Sequence, residues 1–355
     1  MKRRTAAVLI AASIGHAVFP VTAHAEPAAA PDAAEARRHA IDILVSASMG
    51  DDAALRSNSL EAMQLLPDRA LPIAQKGLVD ANPAVRFAAV VTAGQMKFGS
   101  LAAAVEPLLK DVNPSVRAAA IYSLHTLGQK IDITPLAGML TSHDPSLRSN
   151  VALLLGLMGD ASAAPMLKEA ANSPMPRIGG PQAAVVRIQV AEAIAKLGDD
   201  SSLDALRAGA YSQFDEVRVL AVTAMGAVGD KRMAPAIERM LGGQGPKPAA
   251  NEMPVEIKLA AAAALARLGD SKGAPIAIAG ASNTAPVVRA QAAWVLGWFK
   301  DEATMAQAVR LLNDPTPQVR VAAAASVVRR TNAPVPGAIG APVPANPANT
   351  ARPAK

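Results

Sequence analysis

Five short stretches of the chain share one pattern of apolar and polar positions. They are PAVRF at 83–87, PSVRA at 114–118, PSLRS at 145–149, PVVRA at 286–290 and PQVRV at 317–321. Counting from the arginine of each, apolar residues recur at +4, +7 and often +10, as with Ile121, Leu124 and Leu127. That spacing is one stripe of an α-helix. Position +3 is mostly small (Ala89, Ala120, Ala221, Ala261, Ala292, Ala323), which lets neighbouring helices approach closely. The proline falls in the first helical turn, where its missing N–H is no loss. A glycine at +11 (Gly128, Gly159, Gly198, Gly229, Gly269) predicts the helix end. Between that glycine and the next proline lies a shorter apolar segment, such as APMLKEA or MAPAIERML, which predicts a second helix.

The pattern is periodic. Its basic anchor falls at Arg56, Arg86, Arg117, Arg148, Arg187, Arg218, Lys258, Arg289 and Arg320, each preceded by Leu, Val or Ile. The steps are 30, 31, 31, 39, 31, 40, 31 and 31 residues. A fixed period of this length is the signature of a stacked repeat architecture. The reading is an all-α solenoid of about nine two-helix units over residues 37–330. The two long steps place inserts at 172–182 and 242–254, both between the two helices of their unit and so on one edge.

The unit resembles the HEAT repeats, in particular the bacterial HEAT-like type named after phycobilisome lyases. Family features are present as a first-helix proline (Pro72, Pro165, Pro235, Pro275), a turn acid six before the anchor (Asp80, Asp111, Glu252, Asp314, with Asn283 as a substitute) and the Val-Arg pair. Ser142, Pro181 and Ser212 depart from the turn acid. The resemblance implies an ARM-type, right-handed solenoid. It also implies a ladder of charge-assisted bonds along it, through Asp80, Arg86, Asp111, Arg117, Asp314 and Arg320. Stacked at about one helix diameter per unit, nine units predict a curved rod on the order of 90 Å long. The chromophore-attaching activity behind the family name does not follow, because the chain carries an export signal. The deoxyhypusine hydroxylases, also HEAT-like, use repeated His-Glu dipeptides, and none occurs here.

Function in repeat proteins collects where units depart from their average. The inserts combine Pro and Gly with one base each, Arg177 and Lys247. Trp294 and Trp298 stand at +5 and +9 of the eighth unit, on one helical face. Other units carry Glu61 and Glu192 at +5 and Gln95, Lys196, Arg267 and Arg329 at +9, so this face is not a sealed core. The two tryptophans either line a partly exposed surface flanked by Arg267 and Arg329, or pack with Phe299 beneath the last unit. Trp and Arg dominate binding hot spots. Residues 331–355 hold six prolines and no acids and read as an extended, disordered tail. The last unit therefore lacks a polar cap, leaving Ala323 to Val328 to be covered by that tail or by a partner.

The remaining features bound the function. MKRRT, an apolar stretch and TAHA read as a cleavable signal peptide over 1–25, followed by a linker at 26–36. The apolar run is shorter than a membrane span and is interrupted by His16 and Pro20. There is no Cys for a lipid anchor or a mispaired thiol, so the expected location is periplasmic or secreted. Without residues 1–25 the chain has 32 basic against 29 acidic residues, too small an excess for a nucleic-acid binder. His39, His125 and His143 lie in different units, and no metal, phosphate-cradling or nucleophile motif is present. No cofactor or metal is expected. The expected role is a non-catalytic scaffold binding a protein or peptide partner of the cell envelope. The alternatives are a binder of an envelope polymer, such as peptidoglycan or polysaccharide, and a HEAT-like enzyme subunit.

Overall fold

The Pro-x-aliphatic-Arg stretches open helices because three neighbouring residue types each settle one local group. Asn82 accepts from the Ala84 N–H and Asn113 from those of Ser115 and Val116, with Pro83 and Pro114 in the first turn. At the other end Gly128, Gly159, Gly198, Gly229 and Gly269 adopt φ of 80°, 72°, 84°, 78° and 92°. This left-handed conformation costs a residue with a Cβ but not glycine. In the second unit the same position holds Lys97, at φ 53°.

A computed structural model describes residues 33–175, 178–242 and 253–331. It contains nine helix pairs in chain order. They are α1 (Ala33–Met49) and α2 (Ala53–Met63), α3 (Pro67–Gly77) and α4 (Pro83–Gln95), α5 (Ala102–Val105) and α6 (Pro114–Thr126). Next come α7 (Pro135–Met139) and α8 (Pro145–Met158), α9 (Ala164–Asn172) and α10 (Gly180–Lys196), α11 (Leu203–Gly209) and α12 (Asp215–Val228). The last are α13 (Ala234–Glu238) and α14 (Val255–Arg267), α15 (Ala274–Gly280) and α16 (Pro286–Leu296), α17 (Glu302–Arg310) and α18 (Pro317–Thr331). Short 3-10 turns extend several of the first helices. Among the described residues there is no strand, and no helix is long and apolar enough to cross a membrane.

The second helices pack on one another in succession and the first helices lie outside them. Their mutual contact is close because small residues meet at the crossings. The +3 alanines 89, 120, 221, 261, 292 and 323 have no exposed surface. A Cβ added to Gly226 of α12 would come within 2.5 Å of Ala264 Cα on α14, so only glycine admits that approach.

The stack does not end as a rod. Helix α1 packs along α18 as well as against α2, and α18 touches α2 directly. Ala36, Ala40, Leu44 and Ser48, every fourth residue of α1, are buried at this seam. Arg37 Nη1 donates to Thr331 Oγ1 at 3.1 Å across it. The nine units therefore form a closed ring, and the expectation of an open curved rod is corrected. The face of α18 left bare by the repeat is covered by the chain's own first helix. The reason is additive: each unit turns the stack, and nine turns bring the apolar stripe of α1 onto the bare face of α18. Helix α1 also begins within the stretch read as linker, at Ala33 rather than at residue 37. Nine inner helices spaced about 9–10 Å apart describe a circle about 27 Å across.

The arginine ladder is real but interrupted. Arg56 binds Asp80 through two bonds of 2.8 and 2.9 Å, Arg86 binds Asp111 at 2.7 and 2.8 Å, and Arg289 binds Asp314 at 2.7 and 3.1 Å. Each arginine thus reaches the turn acid of the following unit, while its Nη1 donates to carbonyls of its own turn. For Asp80 and Asp111, burial pulls the carboxyl pKa upward. The arginine bond, a turn N–H and the nearby guanidiniums outweigh it and hold both below the usual range. For Asp314 the Arg289 bond is the largest influence, with the same outcome. Arg117 and Arg320, expected in the ladder, lack this rung. Arg117 donates to the carbonyls of Asp111 and Val112, and Arg320 to those of Asp314 and Pro315. The position facing Arg117 is Ser142, and the one facing Arg320, across the seam, is Gly50. Neither can answer a guanidinium with a carboxylate.

Candidate functional site

The +9 position of an inner helix lies about 13 Å along the axis from its anchor. The ladder therefore marks one rim of the ring and the +9 residues approach the other. Helix C-termini favour cations, and Arg267 and Arg329 both sit in last turns, of α14 and α18. Between them α16 presents Trp294 and, just past its end, Trp298. Ser326 of α18 donates to the Ala293 carbonyl at 2.6 Å and to that of Trp294 at 3.1 Å, which fixes α18 on α16 beside the indoles.

The four residues converge. The indoles meet edge to face with ring centroids 5.6 Å apart. Arg267 Cζ lies 4.6 Å and Arg329 Cζ 4.3 Å from the Trp298 centroid, and Arg329 is also 5.6 Å from that of Trp294. All four side chains are half-buried, whereas Phe299 is fully buried. Both indoles are partly exposed and flanked by the arginines, and both also pack against the core that holds Phe299, so the structure combines the two arrangements open from the sequence.

The electrostatics are unbalanced. Burial, and then the charge of Arg267, push the Arg329 guanidinium down to about 10. Burial lowers Arg267 as well, against a pull from Glu192. Glu192 is itself paired with Lys196 at 2.6 Å, leaving three cations against one anion on this arc of the wall. Trp298 Nε1, Arg267 Nε and Arg329 Nη1 are buried with no hydrogen-bond partner. The adjacent Arg330 is the contrast, since it donates to the carbonyls of Lys300 and Asp301 and to Thr304 Oγ1. Arg330 ties down the fold, and Arg329 is held only by stacking.

Arg177 and Lys247, the two insert bases, lie outside the described residues, so the structure does not place them beside this cluster. Glu61 was passed over in the sequence. It occupies +5 of α2, has exposed surface and yet is surrounded by protein, which pushes its carboxyl up to about 7. The signal was its register, shared with Trp294. Among the described residues no group of three or more His, Asp or Glu is placed to hold a metal.

Fold and wall together define a ring-closed α-solenoid that presents a basic aromatic face inward. The family description "HEAT repeats" matches residues 101–178 and 244–329, and "PBS lyase HEAT-like repeat" matches 186–211. Together the two matches cover just over half of the chain. The chain is a HEAT-repeat protein of the phycobilisome-lyase type. No curated protein matches it in sequence. Among solved structures it is similar to human deoxyhypusine hydroxylase in complex with glycerol, at 16% identity over 84% of this chain and 97% of that one, TM-score 0.35. The complex of CpcE and CpcF of phycocyanin lyase from Nostoc sp. gives 18% identity over 73% and 96%, TM-score 0.40. An engineered protein gives 14% over 85% and 95%, TM-score 0.31.

Proposed function

We propose that this protein is an exported, non-catalytic binding scaffold that holds a polypeptide partner of the cell envelope against the inner wall of its ring. Export rests on the N-terminal basic-apolar-small pattern of residues 1–25. Binding rests on one observation: two indoles and two guanidiniums, each still partly exposed, converge on the wall. Trp and Arg are the side chains on which interfaces concentrate their energy. A stacking platform for an envelope polymer is the weaker reading, because two guanidiniums already lie against the Trp298 ring. The test is co-purification from the envelope fraction, comparing wild type with Trp294→Ala/Trp298→Ala, with circular dichroism confirming equal helicity. A discrete protein captured by wild type and lost with the folded variant supports the scaffold. Equal capture, or retention on isolated cell walls in place of a protein, overturns it.

A further inference from the structure

We infer that the ladder rim of the ring is a dimer interface, on which a second copy of this chain docks face to face. This goes beyond the scaffold reading and does not depend on the tryptophan wall. Among the described residues the exposed large apolar side chains are Met49, Val79, Val112, Leu153 and Tyr211. All but Leu153 fall in the turn between the first and second helix of their unit. The repeat sets that turn at the same end of every unit, so these four share the ladder rim. Val79 and Val112 are 84% and 89% exposed, although turns favour Gly, Asn, Asp and Ser. The opposite rim exposes no large apolar side chain among the described residues. Its turns carry helix-capping acids such as Asp160, Asp199 and Asp230.

The charges of this rim select a second copy as the occupant. Many are already engaged: Asp80 and Asp111 hold ladder arginines, Asp215 pairs with Arg218, and Arg239 Nε donates to Tyr211 Oη at 3.1 Å. Lys110, beside Val112, and Glu216, at the start of the helix after Tyr211, are exposed and form no ion pair among the described residues. Unit three is therefore apolar and basic on this rim, and unit six apolar and acidic. A two-fold axis in the plane of the rim, passing between units four and five, lays unit three of each copy on unit six of the other. Val112 then meets Tyr211, with Val79 beside it, and Lys110 meets Glu216, once on each side of the axis. Such an isologous contact closes on itself and is the commonest form of homo-oligomer. Burying the two valines, Met49 and Tyr211 removes on the order of 400 Å² of apolar surface per copy. That is close to the apolar share of the roughly 800 Å² per partner that a stable interface buries.

The test is sedimentation velocity of the purified chain at about 1–100 μM. The expected result is a species of twice the chain mass. Val79→Asp/Val112→Asp, on exposed turns, raises the dissociation constant of the dimer about a hundredfold or more with circular dichroism unchanged. Lys110→Glu and Glu216→Lys each weaken the dimer about tenfold, and the exchange Lys110→Glu/Glu216→Lys restores it. If the valine variant does not fold, the exchange series decides. A wild type that stays monomeric to about 100 μM overturns the proposal. So does a dimer that the folded valine variant leaves intact, or one that the exchange fails to recover. The scaffold reading fails separately, because its tryptophan variant leaves this rim untouched.

Discussion

Leu44→Ala tests the ring directly. Leu44 is fully buried at the centre of α1, on the stripe with Ala36 and Ala40 that meets α18. Removing three carbons at about 0.8 kcal/mol each forfeits about 2.4 kcal/mol of transfer energy. The cavity left behind raises the total into the 2–5 kcal/mol range of such truncations, and about 3 kcal/mol is expected here. In a chain of this size that corresponds to a fall in Tm of about 6 °C. The magnitude alone does not distinguish a ring from a rod, but its distribution does. In an open solenoid each unit contacts only its sequence neighbours, so weakening α1 loosens α1 and α2. In the ring α1 also covers α18, 273 positions further on at Pro317. Hydrogen exchange read by mass spectrometry is the assay, because it reports local opening segment by segment. The expected outcome is faster exchange in 33–49 and in 317–331 together, with units four to six unchanged. Loss of protection in 33–49 with 317–331 unaffected refutes closure. A cost under about 1 kcal/mol refutes the burial argument.

Three further outcomes follow from the same reasoning. Ser142→Asp supplies Arg117 with the rung that Arg86 has in Asp111, and a gain of about 1 kcal/mol is expected in urea unfolding, abolished when Arg117→Ala is also present. Ser142 Oγ already accepts the Asp144 N–H, so the carboxylate inherits the turn bond and loses nothing. Lys97→Gly relieves a left-handed residue whose counterparts in five other units are glycine, and a gain of up to about 1 kcal/mol is expected by the same method. Glu61, raised from an ordinary value of 4.5 to about 7, binds a proton in the folded ring that the unfolded chain has released. Stability therefore falls as pH rises from about 4.5 to about 7, and Tm measured across that window should lose this slope in Glu61→Gln. The ladder acids act in a separate window, because their lowered values remove stability only as pH falls below the usual carboxylate range.

The units were legible in the sequence because each samples the same surroundings, so a residue type repeated at one register has one cause. The alanines at +3 mark helix crossings and the glycines at +11 mark left-handed ends, as the structure bears out. Closure was not legible. It arises from a small rotation summed over nine units, and no residue carries the sum. The stripe Ala36, Ala40, Leu44 resembles that of any outer helix, and the Ala/Pro-rich sequence before it concealed the start of α1. The ladder was legible as a set of residues but not in its gaps. Each arginine answers the acid of the next unit, so Ser142 disarms Arg117, one repeat earlier.

The candidate wall was legible for a different reason. At this position eight units hold Glu, Val, Tyr, Leu, Glu, Thr, Ala and Ala, of which Val91, Tyr122, Ala263 and Ala325 are buried and Glu61 and Leu153 exposed, so a tryptophan there stands out by type while the fold sets its exposure. The same comparison exposed Glu61, yet a lone carboxylate on an open position is ordinary on any solvated helix. What gives it a perturbed proton is the protein gathered around it, which withdraws water from the carboxyl. Arg267 and Arg329 sit on the units either side of the tryptophans, and burial is the first cause of the lowered value of each. Glu61 lies on α2, which meets both α1 and α18 at the seam, so opening the seam at Leu44 should relax the Glu61 shift along with the protection of α18.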